Sequence, residues 1–376
     1  MNVTDAEILA AIAREGSNRK AAAALGINVR TIERRRAALA RKGWSPEHDM
    51  TRTVPDGFMV KGTSTLYRED GTIAAQWVKS SQDAERQAEM LREAMAAMAG
   101  ELPKLGKRKP VSGNPEPGLL SAYVLGDPHF GMRAWRDETG ADWDLEIAER
   151  VHCGAMASLV EAQPATETAL IVNLGDALHY DSMAPVTPRS GHLLDADGRY
   201  AKMVHVAIKT LRQCIESALD KHARVHVINA IGNHDETGAV WLSQALAHLY
   251  ERDPRVTVDS SPAVFNYYRF GKTLIGIHHG HTAKAEALPG VMAADRAREW
   301  GETEWRYWWT GHVHHAQRKE YAGVSVESFN TLASKDAYAT AGGWRAREQM
   351  TAILLHEDWG EVGRSTRQAA MFREAA

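Results

Sequence analysis

The chain has little cysteine and no long apolar segment. Its two cysteines, Cys153 and Cys214, form no Cys-x-x-Cys pair, which excludes zinc-finger and dithiol redox sites. Both lie in predicted amphipathic helices, where we expect buried free thiols. No apolar run approaches the roughly 20 residues of a membrane helix. The N-terminus carries Asp5 and Glu7, whereas a signal peptide begins with basic and then apolar residues. We therefore expect a cytoplasmic protein with no membrane partner.

The net charge is also small, at -3, but it is unevenly distributed. Residues 1–45 contain nine basic and four acidic side chains, a net charge of +5, which leaves -8 on the rest of the chain. A basic module on an acidic protein indicates a polyanionic partner for that module.

The basic segment is typical of a helix-turn-helix domain over residues 1–45. Thr4 can cap a first helix, a second helix ends at Gly26, and a third helix covers about 29–40. The third helix would expose donors suited to DNA phosphates and guanine edges. A generic basic bundle or a protein–protein adaptor is the alternative. The predicted DNA-binding residues are Arg30, Thr31, Arg34 and Arg35.

Residues 46–117 are predicted to connect this domain to a larger one at 118–376. Asp70-Gly71 indicates a hairpin over 62–79, and apolar spacing indicates a helix over 82–99. A basic Pro- and Gly-rich stretch over 103–118 predicts a linker.

The larger domain alternates predicted strands and helices, which is typical of an α/β fold with buried sheets. In such folds, functional residues lie beyond the carboxyl ends of the strands. The predicted helices cover about 145–161, 199–219, 240–251 and 291–300. The predicted strands are Ala122–Leu125, Ala169–Leu174, Val225–Ile231, Thr273–His278 and Arg306–Thr310.

Five short motifs at or just beyond these strands supply Asp, Asn and His side chains. Divalent metals that hydrolyse phosphate esters prefer such ligands, and their number suffices for two ions about 3.5–4 Å apart. A single histidine would more simply be a surface or core residue, but five motifs in series favour a metal centre. The motifs are Gly126-Asp127-Pro128-His129, Gly175-Asp176, Gly232-Asn233-His234-Asp235, His278-His279-Gly280-His281 and Gly311-His312-Val313-His314.

In this order the motifs resemble those of the calcineurin-like metallophosphoesterase family, over about residues 119–355. The resemblance implies a four-layer αββα sandwich with a dimetal centre. It implies one metal ion bound by Asp127, His129, Asp176 and His314, and a second bound by Asp176, Asn233, His279 and His312.

The resemblance also implies that His234 is the general acid and that Asp235 orients its ring. The expected nucleophile is a hydroxide that bridges the two metals. A histidine with an ordinary pKa near 6.5 can protonate the leaving alkoxide. Mn²⁺ is the expected metal, with Zn²⁺, Fe or Mg²⁺ as alternatives.

Two features favour DNA as the substrate, either duplex or single-stranded. One is the basic N-terminal module. The other is Gly175-Asp176-Ala177-Leu178-His179, which resembles a motif of SbcD-type repair nucleases and implies that His179 lies beside the phosphate. A supporting role in the loop is the alternative for His179. Too few residues follow Gly311 for an SbcD-like capping domain, so the end specificity and ATPase partner of that family are not expected.

The sequence thus predicts a metal-dependent phosphodiesterase that hydrolyses DNA, with a layout that resembles phosphoesterases of bacteriophages and prophages. A phosphomonoesterase tethered to DNA is the main alternative, and a DNA-binding regulator with a purely structural metal site is another. In the long loop over 180–200, Arg189 or His192 either contacts substrate or is simply solvated. The sequence leaves a homodimer open.

Overall fold

A computed structural model describes residues 3–41, 58–68, 73–82, 89, 114–188 and 191–373. The chain divides into two compact units, Met1–Glu93 and Ala94–Ala376. Within the described ranges, no helix combines the length and the apolar content needed to cross a bilayer.

The first unit begins with the three predicted helices, Asp5–Glu15, Asn18–Leu25 and Val29–Arg41. Thr4 caps the first helix through a capping box, because its hydroxyl accepts the Glu7 N–H at 3.3 Å and its own N–H donates to the Glu7 carboxylate at 2.7 Å. Gly26 ends the second helix with a φ of 65°, a left-handed conformation that glycine adopts at little cost.

A small apolar core holds these three helices together. Ile8 from the first helix and Ile32 from the third are fully buried, and Ala21 and Ala22 from the second pack between them. The Asn28 side chain accepts the backbone N–H of Arg30 at 2.9 Å, which satisfies a free donor at the start of the third helix.

The predicted hairpin is present as strands β1 (Phe58–Tyr67) and β2 (Ile73–Gln82), paired antiparallel. Its predicted turn residues, Asp70 and Gly71, lie outside the described residues, as does most of the predicted helix over 82–99. The predicted linker over 103–118 also lies largely outside them. Its last residues differ from the prediction, because Glu116 to Gly118 already belong to the first strand of the second unit.

The second unit contains a mixed six-stranded sheet in the order β13-β12-β3-β4-β5-β6. Strands β3 to β6 run parallel to one another. Strand β12 pairs antiparallel with β3, and β13 pairs antiparallel with β12. The strands are β3 (Glu116–Leu125), β4 (Thr166–Asn173), β5 (Arg224–Asn229), β6 (Val256–Val258), β12 (Gln349–His356) and β13 (Gly360–Gln368).

A second, five-stranded sheet has the order β10-β11-β9-β8-β7. Its three central strands are parallel, and both edge strands are antiparallel to their neighbours. The strands are β7 (Asn266–Phe270), β8 (Thr273–Ile277), β9 (Trp305–Thr310), β10 (Gln317–Tyr321) and β11 (Val324–Ser328).

Three apolar clusters show how the layers stack. One cluster fills the space between the two sheets, with Val124 and Val172 from the first sheet and Ile277 and Trp309 from the second. A larger cluster packs helices on the outer face of the six-stranded sheet, and a smaller cluster packs helices on the outer face of the other sheet. The two sheets are therefore flanked by helices, as predicted. The helices of this unit are Arg136–Thr139, Leu145–Ala162, Tyr200–Leu219, Glu236–Tyr250, Leu288–Asp295, Ala297–Glu302 and Ala337–Ala341.

Two helix boundaries differ from the prediction. The helix predicted over 240–251 begins earlier, at Glu236, directly after the Gly-Asn-His-Asp motif. The helix predicted over 291–300 is two short helices, which meet at Arg296. Both cysteines are free thiols as predicted, with Cys214 buried and Cys153 only partly so.

Candidate metal centre

The predicted metal-binding motifs lie in loops that directly follow the parallel strands β3, β4, β5, β8 and β9. Parallel strands end at the same edge of a sheet, so these loops are brought together at one edge of the two sheets. Within the described residues, a positive φ in a residue other than glycine occurs only at five predicted metal ligands. Such conformations cost energy and are typical of functional sites. The residues are Asp127, His129, Asp176, His312 and His314, with φ between 42° and 68°.

The first group of ligand atoms comes from Asp127, His129 and His314, and all three atoms lie within 4.8 Å of one another. His129 Nε2 and His314 Nε2 are 3.1 Å apart. His314 Nε2 is 3.5 Å from the Asp127 carboxylate. Two imidazole nitrogens and a carboxylate at this spacing match the donor types of a divalent metal site.

The second group comes from Asp176, His279 and His312, again within 4.8 Å. His279 Nε2 lies 3.1 Å from an Asp176 carboxylate oxygen and 3.0 Å from the Asn233 side-chain oxygen. The other ring nitrogen of His279 is 2.8 Å from the Leu174 carbonyl, to which it donates. This bond fixes the tautomer and directs Nε2 into the group, as the outer hydrogen bond of a metal-binding histidine usually does.

The two groups adjoin. The Asp176 carboxylate of the second group is 3.9 Å from His129 Nε2 of the first, so Asp176 lies between them, where a bridging ligand is predicted. Backbone donors orient both carboxylates: the His312 N–H binds Asp127 at 2.7 Å, and the His234 N–H binds Asp176 at 2.8 Å.

Two motif glycines make this approach sterically feasible. A Cβ on Gly232 would overlap the Asp176 carboxylate, and a Cβ on Gly311 would overlap the Asp127 carboxylate. These two glycines are therefore required by close packing at the carboxylates.

At the centre, burial and neighbouring charges shift the pKa values of the ionisable side chains, often in opposite directions. Burial lowers the pKa of His129 well below its ordinary value, and the neighbouring His234 lowers it further. Burial also opposes charge on His279, but the Asp176 carboxylate outweighs it and the pKa of His279 rises to about 10. Burial would raise the pKa of Asp176, yet His279 holds it well below its usual range.

These residues fit a divalent metal. One Asp127 carboxylate oxygen is buried and has no hydrogen-bond partner, which is costly unless a cation binds it. His279 Nε2 faces two oxygen atoms, those of Asn233 and Asp176, so these three ligand atoms converge where a metal ion would bind. A metal there would displace any proton that Nε2 carries.

His234 and His179 lie beside the first group. Their ring nitrogens and that of His129 fall within 4.8 Å of one another, and His179 Nδ1 is 3.3 Å from His129 Nδ1. The other His179 nitrogen is buried, and the Asp195 backbone lies close enough to the ring to act as a hydrogen-bond partner. Burial, with His234, lowers the pKa of His179 to about 3, so its ring is neutral. The structure thus brings His179 into the centre.

The predicted role of Asp235 is wrong. Its buried carboxylate does not bind the His234 ring but accepts the backbone N–H groups of Asp176 at 3.2 Å, Leu178 at 3.1 Å and Gly232 at 3.2 Å. His234 Nδ1 donates instead to the His179 carbonyl at 2.8 Å. Asp235 therefore fastens two metal-centre loops together, and burial raises its pKa to about 8.

Asp181 is a positioning residue that the sequence analysis missed. Its carboxylate accepts the N–H groups of Thr237 at 2.6 Å and Gly238 at 2.8 Å, at the start of the helix that follows His234. Burial raises its pKa to about 6. Its position two residues after His179 was the only available signal.

The remaining predicted residues lie elsewhere. Arg189 lies outside the described residues, and His192 is exposed in its loop. In the N-terminal unit, Arg30 and Arg34 are exposed and Thr31 is half-buried.

Arg35 differs from its predicted role as an exposed DNA contact. Its guanidinium forms an ion pair with Asp5 at 2.5 Å and donates to the Val3 carbonyl. It therefore stabilises the packing of the third helix on the first.

No protein-family model matches the chain, and no curated protein matches it. Among solved structures, it is similar to a predicted phosphoesterase from Streptococcus pneumoniae TIGR4, with 12% identity, 66% of this chain and 98% of that chain covered, and a TM-score of 0.27. It is also similar to a Vps29 single mutant from Entamoeba histolytica, with 12% identity, 66% of this chain and 98% of that chain covered, and a TM-score of 0.29. For wild-type Vps29 of that organism complexed with Zn²⁺, the identity is 14%, the coverage is 66% of this chain and 99% of that chain, and the TM-score is 0.27. Scores this low do not establish a shared activity.

Proposed function

We propose that the chain is a two-metal phosphodiesterase of the calcineurin-like metallophosphoesterase type that hydrolyses DNA. The observation that supports this most is the pair of adjoining ligand groups, Asp127/His129/His314 and Asp176/His279/His312, with His234 beside them. Asn233 completes the second group, and Asp176 would serve both ions. Mn²⁺ is the proposed metal, with Zn²⁺, Fe or Mg²⁺ as alternatives.

The chemistry divides between the metals and the protein. When bound, two such ions would supply a water of lowered pKa as the nucleophile and would neutralise charge on the phosphoryl oxygens. The protein holds its carboxylates in place with backbone N–H groups and with left-handed turns. Ligands fixed in this way need no rearrangement when charge develops in the transition state.

His234 is the proposed general acid. Because its Nδ1 donates to the His179 carbonyl, the proton that can be transferred is the one on Nε2. His234 is also partly exposed, unlike the fully buried His279, so solvent can restore that proton. His179, neutral and buried beside His129, is proposed to position that ring beside the phosphate.

The N-terminal unit supports DNA as the substrate. Its third helix exposes Arg30 and Arg34 without an ion pair in the described part of the chain. Arginine binds phosphates and guanine edges well. We assign phosphate or base contacts to Arg30, Thr31 and Arg34, and a structural role to Arg35.

The test compares two chromogenic esters. Purified protein with Mn²⁺ should hydrolyse bis-p-nitrophenyl phosphate faster than p-nitrophenyl phosphate, and it should cleave plasmid or oligonucleotide DNA. EDTA should abolish both activities. Rapid monoester turnover without cleavage of any nucleic acid would support the phosphomonoesterase instead. Unchanged activity after complete metal removal would contradict the proposal.

A further inference from the structure

Two exposed aromatic side chains lie on the segment that connects β11 to β12. This aromatic pair consists of Tyr338, 73% exposed, and Trp344, 57% exposed. Their rings meet edge to face, with centroids 5.4 Å apart. Grouped aromatic surface in water is unfavourable and often marks a binding site, and neither ring has a role in the chemistry proposed above.

The backbone preforms this pair. Gly343 has a φ of 75°, a left-handed conformation that reverses the chain. The Trp344 N–H then donates to the Ala339 carbonyl at 3.1 Å, which brings the indole back onto Tyr338. A Cβ on Gly342 would lie only 3.3 Å from the indole. The two glycines thus allow the ring to rest closely against this turn.

The segment that bears the pair is attached to the metal centre. The Thr331 hydroxyl donates to the Asp127 carbonyl at 2.7 Å, and the Asn330 amide donates to the His314 carbonyl at 3.4 Å. From Thr331 to Tyr338 the chain can extend at most about 25 Å, at roughly 3.5 Å per residue. The Tyr338 backbone therefore lies no more than about 25 Å from the residue that contacts Asp127, a distance that a few nucleotides of extended strand can span.

Positive charge adjoins the pair. Arg345 and Arg347 are both exposed, and neither forms an ion pair in the part of the chain that the structure describes. The Arg345 guanidinium donates to the carbonyls of Thr340 and Trp344 at 3.3 and 2.9 Å. These bonds fix the guanidinium without neutralising its charge, which leaves it available to a phosphate.

The acidic residues nearby are mostly engaged. Asp336 accepts a backbone N–H at the start of helix Ala337–Ala341, and Glu348 forms an ion pair with Arg373 at 2.6 Å. Helix Arg136–Thr139, which packs against helix Ala337–Ala341, does carry two exposed acidic residues.

We infer that the aromatic pair stacks on unpaired bases of single-stranded nucleic acid while Arg345 and Arg347 bind its phosphates. Exposed aromatic rings beside basic side chains are the usual means of binding single strands, because every base offers a flat face. Bases within a duplex are already stacked on one another and offer none. The inference rests on the proposed function, since it names the form of nucleic acid that reaches the centre.

The test measures binding without cleavage. Fluorescence anisotropy of full-length protein in EDTA would compare a single-stranded oligothymidylate with an abasic strand of equal length and charge. The wild type should prefer the strand with bases, and Y338A with W344A should lose that preference. The expected loss is about 5- to 150-fold, the ratio that stacking of one base corresponds to. Oligouridylate in the same assay distinguishes RNA from DNA.

Trp359→Ala is the matched control, because Trp359 is 64% exposed and follows β12 at the end of the sheet opposite the metal centre. It should keep the wild-type preference. Circular dichroism would verify that each variant is folded. Equal affinity for the two strands in the wild type, or an unaltered preference in Y338A/W344A, would overturn the inference.

Failure of the proposed function gives a different result. In that case the protein with Mn²⁺ would hydrolyse only the phosphomonoester, whereas the base preference and its loss in Y338A/W344A would persist. If the protein cleaves oligonucleotides but binds the strand with bases and the abasic strand equally well, the proposed phosphodiesterase activity would stand and the proposed role of the aromatic pair would be refuted.

Discussion

The loops of the candidate metal centre and the third helix of the N-terminal unit hold the side chains proposed to bind phosphate in opposite ways. Asp127 and His279 are fully buried, and left-handed turns and backbone donors fix the loops of the centre. Arg30 and Arg34 project from a regular helix into solvent. A substitution in the centre should therefore disturb several ligands together, whereas a substitution on the helix should remove a single contact.

The strongest test of this comparison is Asp176→Asn. Asp176 lies beside both ligand groups and is held by the His234 N–H, so the variant should lose most of its bound metal. Turnover of a diester should fall by about 10³ or more, because the metals supply several kcal/mol and each 1.4 kcal/mol is tenfold. Metal analysis and kinetics measure both effects. The exposed Asp220→Asn is the control, and full metal content in Asp176→Asn would contradict the bridging role.

His234→Ala should separate catalysis from metal binding. The ring donates through Nδ1 to a carbonyl and is not assigned to either ion, so the variant should retain both metals. Its turnover should fall by roughly 10²–10⁴, the usual range for one general acid. The exposed His248→Ala should have wild-type turnover. Stoichiometric loss of metal from His234→Ala would show that His234 is a ligand.

His222 extends the comparison to a buried histidine outside the centre. It is hydrogen-bonded to the Tyr123 hydroxyl and the Thr166 hydroxyl, both at 2.7 Å, and burial lowers its pKa to about 4. The unfolded chain takes up this proton near pH 6.5. The contribution of neutral His222 to the free energy of unfolding is therefore fully present above that pH, and it is lost as pH falls from about 6.5 toward 4.

Urea unfolding at several pH values measures the total slope, to which His222 should contribute up to about 1.4 kcal/mol per pH unit in that window while other buried histidines such as His179 add to it. His222→Gln should make the pH profile flatter, and the exposed His248→Gln should leave it unchanged. A wild-type slope that persists in His222→Gln would assign the effect to other histidines.

The smallest expected effects distinguish two adjacent arginines. Arg34→Ala should lower the slope of log affinity for DNA against log salt by about 0.9, the value for one phosphate contact, and should leave stability unchanged. Arg35→Ala should instead destabilise the N-terminal unit by up to about 1 kcal/mol, because it loses the Asp5 ion pair. Binding titrations and thermal unfolding measure the two effects, with Arg14→Ala as the control. Reversed outcomes would refute the assignment of Arg35.

Much of the fold and of the centre could be predicted because the relevant signals are local. The capping box at Thr4, the turn at Gly26 and the apolar runs of the central strands depend on residues close in sequence. The strand-end position of each predicted metal-binding motif is also local. Parallel strands must end at one edge, so the convergence of those motifs followed from the topology.

Tertiary structure decided what depends on partners distant in sequence. Asp235 and His234 are adjacent, yet their hydrogen bonds go to Asp176 and to the His179 carbonyl, more than fifty residues away. Likewise, Arg35 is bound by Asp5, and the aromatic pair becomes notable only because its segment is attached at Asp127. The sequence determined which side chains were available and on which elements. Only packing, which fixes distances and the direction of each donor, determined what each of them binds.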